Sequence, residues 1–343
     1  MLNSLIEKVK NKNDLDKNDL NQLINLFFEN KFKDSLVKEL IKSWYEKGYA
    51  SDEVYNMVNI LFEHEPQINL SDENVIDVCG TGGDKLNTFN ISTLTAIVAA
   101  AAGVKVIKHS GRSSTSVSGS VDVLEEVGIP IDLEKSIQEE IFKKYNLMFV
   151  ASNILRKAFS RVKVLAKDIG VPSFVNLLGP VSNPYKTNGH VLGVSNILWA
   201  KTLCEVSEKQ NKKNVLIVCS RINENQFLDE LSFVGNNIFW EKGQTGFRKH
   251  EKDFNVLAPS SCSLDSIVLK NKNQAKEVFL NVLRGNKDYA PMIETVALNA
   301  GSVLYIAKIS HSIEEGYKKA LDVIYKDYAW EHFQNILKLI QCI

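Results

Sequence analysis

Apolar residues at helical spacing organise the first seventy positions. Leu2, Leu5, Ile6 and Val9 share one helical face, as do Leu20, Leu23, Ile24, Leu26 and Phe27. The same period continues from Asp34 to Lys47 and stops at Gly48. A further helix starts at Ser51-Asp52-Glu53, runs to about His64 and is broken by Pro66. Beyond that point the pattern changes to short, unbroken apolar runs. Residues 75–79, 104–107, 147–150, 190–194 and 214–219 read as buried strands, with helices at 96–102, 133–144, 154–169 and 199–209 between them. Residues 236–241 and 266–269 read as shorter strands. Helices at 273–283, 291–307, 312–326 and 330–340 complete the chain. Strands alternating with helices predict an α/β protein with a largely parallel sheet.

The unusual chemistry is concentrated between residues 75 and 125. The first strand runs directly into Gly80-Thr81-Gly82-Gly83-Asp84. Glycines allow positive φ and close backbone approach, so successive N–H groups of such a turn can converge on an anion. Asn90, Ser92 and Thr93 stand at the start of the next helix, where unpaired N–H groups and the helix dipole favour a second anionic group. The second strand delivers Lys108, His109 and, shortly after, Arg112. Any one of these features is ordinary: a tight strand–helix turn, a helix cap. All of them in one βαβ-sized unit point to a phosphate-rich ligand. The spacing matches neither the Walker A loop nor the dinucleotide fingerprint.

A second chemical element is the adjacent pair Asp229-Glu230. Neighbouring carboxylates repel, so in a site they face a cation; otherwise they are surface charge. Helix 154–169 is basic, with Arg156, Lys157, Arg161, Lys163 and Lys167. Such a run is commonly a solvated face.

Composition narrows the class. The 343 residues are 44% hydrophobic and 24% charged, ordinary for a globular protein with a sizeable core. Lys plus Arg and Asp plus Glu balance at 41 each. That argues against nucleic-acid binding through overall charge, though not against a local patch. No apolar run approaches the ~20 residues that span a bilayer, and the amino terminus is charged where a signal peptide needs an apolar core. Cys79, Cys204, Cys219, Cys262 and Cys342 are scattered and odd in number, which fits a reducing cytoplasm and neither a zinc site nor a disulfide framework.

The motifs together resemble one family. Gly80-Thr81-Gly82-Gly83-Asp84, Thr88-Phe89-Asn90-Ile91-Ser92-Thr93, Lys108-His109, Arg112 and the run from Ser118 to Glu125 are similar to those of anthranilate phosphoribosyltransferases. So are Asn176-Leu177-Leu178-Gly179-Pro180 with Asn183-Pro184, Leu228-Asp229-Glu230-Leu231-Ser232, Asp253-Phe254 and Leu298-Asn299-Ala300-Gly301. The likeness spans roughly residues 1 to 310 in the family's order. It implies a small N-terminal all-helical domain at residues 1–70, with part of 154–190 packing on it and a homodimer contact. It also implies a larger α/β domain at 71–343, whose central, mostly parallel sheet is surrounded by helices.

The implied reaction moves a 5-phosphoribosyl group from phosphoribosyl pyrophosphate to an aromatic amine nitrogen, with anthranilate the expected acceptor, in tryptophan biosynthesis. By this resemblance Gly80 to Asp84, Thr88, Asn90 to Thr93, Lys108, Ser116 and Ser120 bind the donor. Ser92, Asp229 and Glu230 hold Mg²⁺, two ions in the family. Lys108, Asp229 and Glu230 carry the catalytic electrostatics. Gly80, His109, Gly111, Arg156 and Ala166 fall at the acceptor side. There the pattern departs from the family's: Gly111 stands for an Asn, Arg156 for a His, and Ala166 and Pro172 for two Arg. Loss of an Arg–carboxylate contact costs about 1.5–3 kcal/mol, and Lys163, Lys167 and Arg156 are the cations placed to replace it from another angle. Other acceptors with the same donor, a nucleoside phosphorylase, and a non-catalytic relative binding phosphate-rich ligands or nucleic acid on helix 154–169 are the alternatives.

Overall fold

The structure, a computed structural model, describes residues 1–70, 74–111, 119–257 and 262–342. Four helices open it: α1 (Leu2–Lys10), α2 (Lys17–Glu29), α3 (Asp34–Lys47) and α4 (Ser51–His64). Asp16 caps α2, accepting from the N–H groups of Asn18 and Asp19 at 2.9 Å each. Buried Glu53 ties the layer together, accepting from Trp44 Nε1 at 3.0 Å, Lys47 Nζ at 3.0 Å and the backbone of Leu15 and Ala50. A buried carboxylate is tolerated because its lone pairs are filled.

Strands and helices then alternate: β1 (Val75–Gly80), α5 (Ile91–Ala101), β2 (Lys105–His109), α6 (Ser120–Glu126), α7 (Lys135–Tyr145), β3 (Leu147–Val150), α8 (Asn153–Asp168), α9 (Phe174–Val181), β4 (Gly189–Gly193), α10 (Leu198–Lys209) and β5 (Asn214–Asn223). The short strand β6 (Gln226–Leu228) and the hairpin β7 (Asn236–Gly243) and β8 (Gly246–Lys252) follow. The chain ends in α11 (Gln274–Leu283), α12 (Ala290–Ile306), α13 (Ile313–Tyr325) and α14 (Tyr328–Gln341). The sheet runs β3-β2-β1-β4-β5-β7-β8, with β6 also paired to β5. The pairs from β3 across to β5 are parallel; those of β5 with β6 and β7, and of β7 with β8, are antiparallel. The fold is therefore α/β with a mostly parallel central sheet.

Strand β5 shows how the two layers divide. Val215, Ile217 and Cys219 face a core shared with α1–α4, whereas Leu216 and Val218 face the core built around α5 and α12. Helices α8, α9 and α10 contribute to the first of these cores. Phe159 of α8 and Phe174 of α9 pack on Phe27, with centroids 5.8 and 6.0 Å away, and Phe174 lies 5.0 Å from Trp44. The connection leaving α4 runs beside residues 183–186: Ile68 N–H donates to Pro184 O at 2.8 Å and Lys186 N–H to Ile68 O at 2.9 Å.

One local expectation needs correction, and two elements lay outside the apolar pattern. Residues 266–269 form no strand of the sheet. A 3₁₀ turn at Leu264–Ser266 precedes a single antiparallel bridge from Val268 to Thr88, so this segment braces the loop before α5. Strand β8 has no apolar alternation, because this lysine-bearing strand at the sheet edge is mostly exposed. The run from Phe174 to Pro180 lies in a helix, at whose start the Ser173 N–H donates to Asn176 Oδ1 at 3.1 Å.

Asp77 pins β1 to its neighbours. It is fully buried, and its two oxygens accept from the His109 N–H at 2.9 Å and from Asn183 Nδ2 at 2.8 Å. Asn183 Nδ2 donates in turn to Ile107 O at 3.0 Å. The Asp77→Ala variant leaves both donors unpaired and is expected to lose about 3 kcal/mol of stability. Urea unfolding measures this; an unchanged midpoint would contradict the assignment.

Candidate active site

The cleft starts where two parallel strands end in glycine. Gly80 closes β1 and Gly193 closes β4, and the two are register partners. Neither position tolerates a side chain, because the Asp229 backbone and carboxylate lie directly over them. A Cβ on Gly193 would fall 1.6 Å from the Asp229 carbonyl oxygen, and one on Gly80 2.2 Å from Asp229 Oδ2. Gly82, with φ of +62°, turns its N–H onto that same oxygen at 2.8 Å. The acidic pair thus sits on the glycine turn itself. Asn299 of α12 holds the loop from behind, accepting from Leu231 N–H at 3.0 Å and donating to Leu231 O at 2.8 Å. The Ser220 hydroxyl donates to Glu230 O at 2.8 Å.

Three acids converge here. Burial, then the charge of Asp229, pushes the Asp84 carboxyl up to about 7. Burial raises Asp229, and burial with Asp229 beside it raises Glu230 well above the usual carboxylate range. The cation facing them is Lys108, almost wholly buried, with Nζ donating to Val78 O at 2.7 Å and Ser92 Oγ at 3.1 Å. One ammonium for three carboxyls leaves an excess of oxygen ligands, which suits a hard divalent cation. The trio is not a closed cage, so such an ion would draw further oxygens from water or a phosphate.

Among the described residues one group brings three candidate ligand atoms within 4.8 Å of one another: Asp77, Cys79 and His190, beneath the cleft. Both Asp77 oxygens there are already taken, and Cys79 Sγ lies 3.3 Å from His190 Nε2. Burial pushes His190 down to about 3. This is a hydrogen-bonded polar floor under the turn, with the charge on Asp77.

A cavity of about 620 Å³ opens above these groups. Gly80 to Asp84, Thr88, Asn90, Ile91 and Ser92 line it from the β1–α5 side, and Lys108, His109, Gly111 and Ser120 from the β2–α6 side. Asp229 and Glu230 complete one wall and Arg156 stands on another. Two positions are elsewhere. Thr93 is buried inside α5, its hydroxyl without a partner among the described residues. Ala166 is buried in the core shared with α1–α4 and does not line the cavity. Ser116 and Arg112 lie outside the described residues.

His109 has a defined tautomer. Its Nδ1 lies 2.7 Å from Gly179 O, and a carbonyl only accepts, so Nδ1 carries the proton and Nε2 is the acceptor. Burial holds its pKa below the ordinary value, with Lys108 and Lys163 adding to the effect against the pull of Asp77. The ring is neutral at pH 7.

The structure adds residues that the motif reading did not assign to the site. Gly193 is one. Ser195 is another: its N–H donates to Thr81 Oγ1 at 3.1 Å and its hydroxyl to Gly82 O at 2.7 Å. Asn176 Nδ2 donates to Thr81 O at 3.0 Å. A glycine ending a buried strand was a visible signal for the first; Ser195 carried none.

Comparison with known proteins gives this cleft a family. A model described as glycosyl transferase family, a/b domain, matches residues 72–329. An anthranilate phosphoribosyltransferase from Nitrosopumilus maritimus is 35% identical over 325 residues, 94% of this chain and 92% of that protein. The chain belongs to the anthranilate phosphoribosyltransferase family. A relative of the same name from Methanobrevibacter smithii is 31% identical over 98% of this chain and 99% of its own length. The anthranilate phosphoribosyltransferase of Thermus thermophilus superposes with a TM-score of 0.84 at 25% identity, covering 98% of this chain and 99% of that one. The Saccharomyces cerevisiae enzyme in complex with PRPP and Mg, 21% identical, shares the fold at a TM-score of 0.84 over 100% of this chain and 98% of that one.

For this member of the anthranilate phosphoribosyltransferase family, the strand-end glycines make a sharp prediction. Gly193→Ala must displace the Asp229 backbone, so it should lower stability by about 1–3 kcal/mol and weaken Mg²⁺-dependent binding of phosphoribosyl pyrophosphate. Thermal unfolding and titration calorimetry read the two effects; a variant normal in both would show that the acidic loop is not seated as described.

Proposed function

We propose that this protein transfers the 5-phosphoribosyl group of phosphoribosyl pyrophosphate to the amino nitrogen of anthranilate and releases pyrophosphate. The observation that carries the reading is the seating of Asp229 and Glu230 on the glycine turn, which puts metal-type ligands and phosphate-type donors into contact. Family membership along nearly the whole chain supports the same reaction.

The amine nitrogen attacks C1 of the ribose, the C1–oxygen bond breaks, and the electron pair leaves with pyrophosphate. No covalent enzyme intermediate is needed. Backbone N–H groups of Gly80 to Asp84 and the Lys108 ammonium stabilise the departing pyrophosphate, and Asn90 to Ser92 at the α5 N-terminus hold donor phosphate oxygens. Ser120 contributes from the start of α6, and Ser116 is assigned to the donor by the family pattern. Ser92, Asp229 and Glu230 would hold Mg²⁺, two ions by the family pattern; bound there, the metal neutralises charge on the leaving group. Orientation supplies much of the remainder. His109, with Nδ1 committed to Gly179, has only Nε2 to offer a substrate. We assign the chain two lobes, residues 1–70 with part of 154–190 and the rest, a homodimer contact on the helical lobe, and a cytoplasmic location.

A nucleoside phosphorylase would need no carboxylate-bound metal and leaves Asp84, Asp229 and Glu230 without a task. The Asp229→Ala, Glu230→Ala double variant should keep its fold and lose Mg²⁺-dependent donor binding by at least about a hundredfold. Calorimetry with phosphoribosyl pyrophosphate and Mg²⁺ measures it, and wild-type binding in the variant would refute the metal assignment.

A further inference from the structure

The cations of α8 meet different fates. Arg161 pairs with Asp34 at 2.6 Å, and Lys157 lies over the Phe28 ring. Arg156 is exposed and donates to Asn153 Oδ1 at 2.8 Å, and Lys167 is exposed. Arg156, Lys163 and Lys167 all line the cavity, and of these three Lys163 alone is drawn partly out of water. It lines the cavity, is only partly exposed, and makes no hydrogen bond or ion pair among the described residues. Burial lowers its pKa, with no carboxylate beside it to oppose the effect. An ammonium drawn out of water without a counter-charge is unfavourable, so the arrangement is complete only when an anion enters the cleft.

The position of Lys163 selects among the anions. The donor's phosphates are already provided for by the glycine turn, the α5 N-terminus and Lys108, all on the β1 and β2 side. Lys163 stands apart on α8 and shares the cavity lining with His109. The lining that α8 and α9 contribute includes Leu155, Val175 and Pro180, apolar surface suited to a flat ring. Ala166, one turn further along the helix, is buried in the core and offers no charge.

We propose that Lys163 reads the carboxylate of the aromatic acceptor and so determines acceptor specificity. This rests on the function proposed above. The amine of an ortho-amino acid is then aimed at the ribose by a charge-assisted contact on its neighbouring carboxylate. Lys163 is a binding residue for the acceptor, and it takes no part in bond breaking.

The test compares anthranilate with 2-aminobenzamide, its uncharged counterpart, as acceptors for phosphoribosyl pyrophosphate with Mg²⁺. Lys163→Met should raise the KM for anthranilate about 10- to 100-fold while the donor KM stays within about twofold. The preference of the wild type for anthranilate over the amide should shrink by the same factor, and Lys163→Arg should restore most of it. Equal losses with both acceptors would reduce Lys163 to a structural part. A raised donor KM with unchanged anthranilate KM would place it on a phosphate. Either result overturns the proposal without touching the reaction. Failure of the wild type to use anthranilate would instead overturn the proposed function, and this assignment with it.

Discussion

Everything in the cleft depends on one close approach, the Asp229 main chain and carboxylate lying against strand-end glycines at 80 and 193. A backbone can come that near only where no Cβ intervenes. The contact does two jobs. It fixes the acidic loop by a hydrogen bond from Gly82, and it sets carboxylates beside the N–H groups of a phosphate turn. Left to themselves the acids are frustrated: buried and crowded, with pKa values raised. Such strain is removed by a ligand that brings positive charge, so the site is built to be completed rather than to be stable alone.

The sheet makes that possible from below. Asp77, Asn183 and His190 fill the space under the turn with satisfied polar groups, so β1 and β2 end at fixed heights. Helices α8 and α9 then close the far side while belonging to the core of the helical layer. A change in how α1–α4 pack is therefore felt directly by Lys163 and by the Gly179 carbonyl that orients His109. On the proposed function, donor chemistry sits at the sheet and acceptor chemistry on the helices.

Much of this was legible from sequence for a physical reason. Buried parallel strands announce themselves as short apolar runs, and a phosphate turn needs glycines at fixed places, so β1 to β5 and Gly80 to Asp84 stood out. The edge strand β8 did not, since one exposed edge needs no apolar pattern. Helix α9 was hidden by Gly179-Pro180, which reads as a break although proline near a helix end is tolerated by its surroundings. In the site, Asp229 and Glu230 were found by their adjacency. Their partner Gly193 was not assigned, because its role exists only once two strands distant in sequence lie side by side. Ala166 shows the limit of carrying a motif position over: the helix face at that residue points into the core, while Lys163, three residues earlier, lines the cleft.

The most direct test of the account is pyrophosphate release by the purified protein supplied with phosphoribosyl pyrophosphate and Mg²⁺, with and without anthranilate, followed in parallel by the loss of anthranilate fluorescence. Release that requires both Mg²⁺ and anthranilate, at the rate the fluorescence falls, is the predicted result. Donor binding with no anthranilate-stimulated release would contradict it.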